Sequence, residues 1–178
     1  MTSVSIVREK ETGTMEILLV SPMNPLVVVI SKAIPYLLLC FVDVLIILAL
    51  SYGVLEMPTG ANLPLLLAEC LLFIFTTLAL GVVISNAVAN QQTAMFISLV
   101  GLLMPSLVFS GFMFPIQNMP LPLQVISNVV PTKWFYLIAS NVMIKHLGFA
   151  AVIKPTVILA AMTLVLLAIA IKTFRQRL

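Results

Sequence analysis

Two carboxylates have the residue type and position to do chemistry. Asp43 and Glu69 each stand inside a long apolar stretch, where a charged side chain costs roughly 2.5–3.5 kcal/mol at the centre of a membrane helix. Asp43 falls about nine residues from the end of its stretch, and Glu69 about six from the start of the next. At about 1.5 Å per residue their depths differ by only about 5 Å. Adjacent antiparallel spans would bring them to one polar pocket, a site for a cationic substrate or for protons. The plainer reading has each carboxyl hydrogen-bonded to a neighbouring helix or reaching toward water.

The other reactive residue types offer less. Cys40 and Cys70 lie in apolar segments without Cys-x-x-C or metal-ligand spacing, so they read as small packing residues. His146 is the single histidine, beside Lys145, and reads as a polar anchor at a membrane interface. No His-Glu-x-x-His or Gly-x-Ser-x-Gly motif occurs, Ser106 and Ser110 have no base nearby, and no metal site is expected.

A stronger signal is the run Ser110-Gly111-Phe112-Met113-Phe114-Pro115-Ile116-Gln117-Asn118-Met119-Pro120. It interrupts an apolar segment with a glycine, two prolines and an amide pair. Lipid cannot satisfy the backbone groups freed there, so such a break is buried in protein or lines a watery cavity. That suits a pathway or gate better than a tether. Met104, Phe109, Phe112 and Phe114 cluster at the break and could form an apolar plug.

The elements that position these residues follow from composition. The chain is 62% hydrophobic and 8% charged over 178 residues, against about 25% charged in a soluble domain. A polytopic all-α membrane protein is expected, folded as a single membrane domain. Four stretches reach the roughly 20 residues needed to cross: 25–52, 63–85, 93–109 and 152–172. Asn24 and Asn62 stand where N-caps belong, with Pro25 and Pro64 in the first turns. In the third stretch Ser98, Gly101 and Ser106 permit close helix contact, and Pro105 should kink it. Residues 113–151 are apolar but cut by Pro115, Pro120, Pro122, Pro131 and Gly148. They read as a re-entrant outer pair of short helices, Leu121–Val129 and Thr132–His146, with Gly148 as the stop. A fifth tilted span is the alternative.

With four spans both termini share a side. That side holds Arg8, Lys10, Lys32, Lys172, Arg175 and Arg177, and the other holds Lys133, Lys145 and Lys154. The positive-inside bias makes both termini cytoplasmic. Trp134, Tyr136 and Tyr52 then fall near the outer interface. The basic residues sit at segment ends, so the net charge of +3 implies no nucleic-acid partner. Residues 1–7 lack the charged start and apolar core of a signal peptide.

Residues 8–22 are the most polar stretch and lie on the cytoplasmic face. Gly13 permits a turn, Thr14 can cap a short helix, Glu16 suits its first turn, and Pro22 favours an end at Ser21. Such a helix would lie along the inner surface. The run Glu9-x-Glu11-x-Gly13-Thr14-x-Glu16-x-Leu18-Leu19-x-Ser21-Pro22, with Lys32 and Pro35-Tyr36 after it, resembles the cytoplasmic coupling region of type-2 ABC transporter permeases. Ser110-Gly111-x-x-Phe114-Pro115-x-x-x-Met119-Pro120, then Pro131 and Tyr136, resembles the same family's signature between its last two spans, closest to the multidrug exporters.

The resemblance implies that Glu9, Glu11, Gly13, Thr14 and Glu16 receive ATP-driven motion from an ABC ATP-binding subunit. It implies that Ser110, Gly111, Phe114, Pro115, Met119 and Pro120 belong to an extracytoplasmic lid. It also implies that the chain is the C-terminal portion of a permease, with the family's first two spans and outer domain absent. No Gly-x-x-x-x-Gly-Lys-Ser/Thr loop occurs, so the chain needs no cofactor and is not an enzyme; ATP and Mg belong on the partner. The expected setting is the bacterial cytoplasmic (inner) membrane, with a second permease copy or paralogue completing a dimer. The expected function is export of a hydrophobic or amphipathic substrate by alternating access. The alternatives are a non-transporting assembly or regulatory subunit, a truncated remnant, or an ion-coupled secondary transporter working through Asp43 and Glu69.

Overall fold

The structure, a computed structural model, describes residues 2–11, 25–54 and 63–176. Among the described residues the regular structure is helical, without strands. Helix α1 is Thr2–Glu11, α2 is Pro25–Gly53 and α3 is Leu63–Ala87. Helix α4 is Gln91–Phe109. A 3₁₀ turn, Ile116–Asn118, leads to α5, Leu121–Ser127. Helix α6 is Pro131–Ala139, continued by a π-helical turn over Ser140–Ile144. Helix α7 is Phe149–Gln176. Four helices are long and apolar enough to cross a membrane: Ala33–Gly53 of α2, all of α3 and α4, and Phe149–Thr173 of α7. The expected coupling helix, with Gly13, Thr14 and Glu16, lies outside the described residues.

Helix α3 is the hub, and its main partner is α7. Three polar bridges join them. The Thr156 hydroxyl lies 2.6 Å from Glu69 Oε1, Thr76 and Thr163 hydroxyls meet at 2.6 Å, and the Asn86 amide donates to the Ala170 carbonyl at 3.2 Å. Numbers rise together along both helices, so α3 and α7 run parallel. Thr156, Thr163 and Ala170 recur every seven residues, the spacing that keeps one seam facing a partner helix. Leu66 and Cys70 of α3, Leu48 of α2, Ile138 and Val142 of α6, and Val152 and Leu159 of α7 close the core around the upper part of this seam. Phe73 and Phe135 stack within it at 4.3 Å.

Helix α4 begins at Gln91, two residues earlier than expected. Asn90, in extended conformation, is its N-cap and accepts from the Thr93 N–H at 2.9 Å. Pro105 was expected to kink this helix. Just before Pro105 the helix widens to a π-helix over Ile97–Leu103, where the Met104 N–H reaches the Leu99 carbonyl. Pro105 has no N–H to give the preceding turn, and a π turn is one of the few ways a helix absorbs such a lapse.

The stop of α6 also differs from expectation. Gly148 is not in the left-handed region; His146 is, with φ 51°. The π turn shifts the helix end, so the Leu147 N–H closes back on the Asn141 carbonyl at 2.9 Å and the intervening histidine takes the left-handed step.

Candidate functional site

The gate motif begins where α4 ends. Ser110 is buried; its hydroxyl donates to the Leu107 carbonyl at 3.3 Å and accepts from the Phe112 N–H at 3.2 Å. Gly111 follows with φ 88°, and a Cβ there would stand 3.2 Å from Ile116 Cδ1. This reversal lays Phe112 edge-on against Tyr136 of α6, centroids 6.2 Å apart. Pro115 opens the 3₁₀ turn by accepting from the Asn118 N–H. Pro120 caps α5, while the Gln124 side chain donates back to the Met119 carbonyl at 2.8 Å. Met104, Phe112 and Phe114 are exposed, and Phe109 is half-buried.

The turn between α5 and α6 is tied internally. Lys133 donates to Ser127 Oγ at 3.0 Å and Asn128 Oδ1 at 2.6 Å, and its ammonium sits over the Trp134 ring. Trp134 Nε1–H donates to the Asn128 carbonyl. Thr132 donates to Ser106 of α4 at 3.0 Å. A cavity of about 290 Å³ lies beside this tip, walled by Thr77 and Leu80 of α3, Gly101, Pro105 and Ser106 of α4, and the Val129–Thr132 turn. An apolar cavity of about 480 Å³ shares Leu80, Val129 and Pro131 with it and continues along Val157–Leu166 of α7. The helix rise places Thr77 and Leu80 about 10–15 Å, and Ser106 about 22 Å, from the α3–α4 turn. Lys133 and Trp134 flank this tip.

The carboxylates face different surroundings. Glu69 is only 3% exposed, against Thr156 of α7. Asp43 lies on the exposed side of α2 among Leu39, Val42, Ile46 and Ile47. Its neighbour Val44 packs against the core that holds Leu66 and Cys70, so the levels correspond while the directions do not.

Of the expected coupling residues, Glu9 and Glu11 belong to α1. Helix α1 runs antiparallel to α4. Ser3 and Ser98 hydroxyls meet at 3.0 Å, Val7 packs with Val88 and Ala94, and Glu11 grips the start of α4. Its Oε1 accepts from the Gln91 N–H at 2.9 Å, and its Oε2 accepts from the Gln91 side-chain amide. A carboxylate there satisfies an orphan N–H and faces the positive end of the helix dipole. The expected coupling segment thus follows directly on a residue bonded to the helix that ends in the gate motif.

No cluster of three or more His, Cys, Asp or Glu able to hold a metal occurs among the described residues. Comparison with known proteins agrees with the shape of the chain. It is 30% identical over 166 residues to the probable multidrug ABC transporter permease YbhR of Escherichia coli K12, covering 92% of this chain and 45% of that protein. YbhS of the same organism, also described as a probable multidrug ABC transporter permease, is 33% identical over 135 residues, 76% of this chain and 36% of its own length. The E. coli inner membrane transport permease YhhJ is 28% identical over 177 residues, 99% of this chain and 47% of that protein. The chain thus spans about half the length of the curated relatives it matches. No solved structure matches it. Residues 1–172 match the family model described as ABC-2 family transporter protein, and the chain, a multi-pass membrane protein, belongs to that family of transporter permeases.

Proposed function

We propose that this chain is the C-terminal membrane portion of an ATP-driven exporter, moving a hydrophobic or amphipathic substrate out of the cytoplasm by alternating access. The observation that carries the reading is the Glu11–Gln91 clamp. A partner ATPase acting on residues 12–22 would pull on Glu11 and through it on α4. The π turn gives α4 a place to change its winding, and the Gly111 reversal and the α5–α6 pair hang from its far end. The cavities beside the α5–α6 tip, apolar apart from the hydroxyls of Thr77, Ser106 and Thr132, suit an apolar or amphipathic ligand.

The partners we propose are an ABC ATP-binding subunit, which holds ATP and Mg, and a second permease copy or paralogue. The setting is the bacterial inner membrane, with both termini cytoplasmic. The exposed Asp43 supports the second copy: facing lipid, its carboxylate would cost roughly 2.5–3.5 kcal/mol, whereas a watery pathway between copies would relieve that cost. Site-specific crosslinking from positions 13–20, in membranes containing the cognate ATPase, tests the reading. Crosslinks to the ATPase are expected, and Glu16→Lys should uncouple ATP hydrolysis from transport with membrane insertion unchanged. Crosslinks to lipid alone, with coupling intact, would turn the assignment toward a non-transporting membrane subunit.

A further inference from the structure

Glu69 sits in the α3–α7 seam with an unusual arrangement of hydrogen-bonding atoms. Its Oε2 is buried and has no hydrogen-bond partner among the described residues. Its Oε1 lies 2.6 Å from the Thr156 hydroxyl oxygen, and that same hydroxyl lies 2.7 Å from the Val152 carbonyl oxygen one turn back on α7. A threonine hydroxyl carries one hydrogen. It cannot donate at full strength to the Val152 carbonyl and to a carboxylate together, yet both contacts are short. Were Glu69 ionised, the single hydrogen would be shared, and a charged oxygen would be left buried with nothing to solvate it. One added proton removes both difficulties. Carried on Oε1, it is donated to Thr156, whose own hydrogen goes to Val152. The unpaired Oε2 is then the carbonyl oxygen of a neutral acid, much less costly to leave unpaired than a carboxylate oxygen.

We propose that Glu69 is a proton-binding site, and that the bound proton seals α3 to α7 at Thr156. The surroundings fit a neutral group. Among the described residues no lysine, arginine or histidine pairs with Glu69, and the core at this level is Leu48 of α2, Ile138 and Val142 of α6, and Val152 and Leu159 of α7. The titratable groups packed in the same cluster are the Cys70 thiol of α3 and the Tyr52 phenol of α2, neither a cation. Loss of the proton would leave an uncompensated charge between two packed helices, and the seam would have to open to water. The inference does not depend on transport, so it stands or falls apart from the exporter reading.

The test is infrared spectroscopy of the full 178-residue chain in lipid bilayers, compared with Glu69→Gln and Glu69→Ala. At neutral pH the wild type should show a protonated-carboxyl C=O band that survives in Asp43→Asn and is lost in Glu69→Gln. Glutamine reproduces the neutral acid, with an N–H in place of the O–H, so Glu69→Gln should melt within a degree or two of wild type while Glu69→Ala melts lower. Should Glu69→Ala fail to fold, the infrared band and the Glu69→Gln melt still decide. Absence of any carboxyl band assignable to Glu69 at neutral pH overturns the proposal. So does a Glu69→Gln protein that melts far below wild type, since a carboxylate would then be what the seam requires.

Discussion

Gly111 holds a φ of 88°, the one left-handed glycine among the described residues, and the whole gate motif turns on it. An L-residue in that region costs roughly 1–2 kcal/mol, and a Cβ would also press on Ile116 Cδ1, the end of a flexible side chain. Gly111→Ala should therefore destabilise the purified chain by about 1–2 kcal/mol, read from detergent melts followed by Trp134 fluorescence. Adding Ile116→Ala should recover little; full recovery would mean that the contact, not the backbone, set the cost. His146 presents the opposite case. It occupies a left-handed position that glycine tolerates better, so His146→Gly should be neutral or stabilising by up to about 1 kcal/mol, where an interfacial anchor would be weakened. The carboxylates mark how far residue-scale reading reaches. Sequence spacing put Asp43 and Glu69 at similar depth, because depth follows from helix rise. Which way each points depends on rotation about the helix axis, and α2 and α3 are apolar on every side, so no amphipathic stripe revealed it. Asp43→Cys, in the assembled transporter, should react with a water-soluble maleimide if that face lines a pathway, and Asp43→Asn should alter export of cationic compounds. A cysteine there that stays unlabelled would place Asp43 against protein or lipid and remove it from the pathway.

At the scale of elements, the four long apolar runs were legible because twenty apolar residues have few other uses, and the proline-cut segment was legible as helices too short to cross. The expected caps Asn24 and Asn62 lie outside the described residues, while Asn90, the cap of α4, stands in an uncharged loop where nothing marked it out. The π turn of α4 was not legible, since Gly101 and Pro105 announce a lapse in the hydrogen-bond ladder without saying how it is absorbed. The Thr156 and Thr163 partners of α7 were also overlooked, although their seven-residue spacing matches Glu69 and Thr76 on α3. Helix α1 was not legible: residues 8–11 read as the start of the polar coupling segment and residues 1–7 carried no helix signal, although Ser3 and Val7 are buried. Its last residue carries the element-scale prediction. Glu11→Ala removes both bonds to Gln91 and should cost about 0.5–2 kcal/mol at the start of α4, the range for losing a cap. In a reconstituted transporter it should lower transport per ATP hydrolysed more than it lowers hydrolysis itself. Equal losses in both would assign the clamp to folding alone.

The whole molecule is organised by the direction of α7. Because α3 and α7 run parallel, with Glu69 beside Thr156 and Asn86 beside Ala170, the chain between Ala87 and Phe149 must return to the end where α3 begins. Helix α4 makes that journey once. A further crossing by residues 110–148 would have left α7 antiparallel to α3. The α5–α6 pair therefore enters and leaves on one side, with its tip against Ser106 and Thr77. The charge count points the same way. Six basic residues at the termini and the start of α2 stand against Lys133, Lys145 and Lys154 on the other side. Helices α2, α3, α4 and α7 then amount to four crossings, and the proposed topology puts the termini together in the cytoplasm. Single cysteines at Gly60, Ala89 and Leu178 should divide accordingly in intact cells. A membrane-impermeant reagent should label Gly60→Cys from outside, and label Ala89→Cys and Leu178→Cys only after the membrane is opened. External labelling of both Gly60→Cys and Leu178→Cys would demand an even number of crossings between them. That would be incompatible with a parallel α3–α7 pair, so this one experiment tests the packing and the topology together.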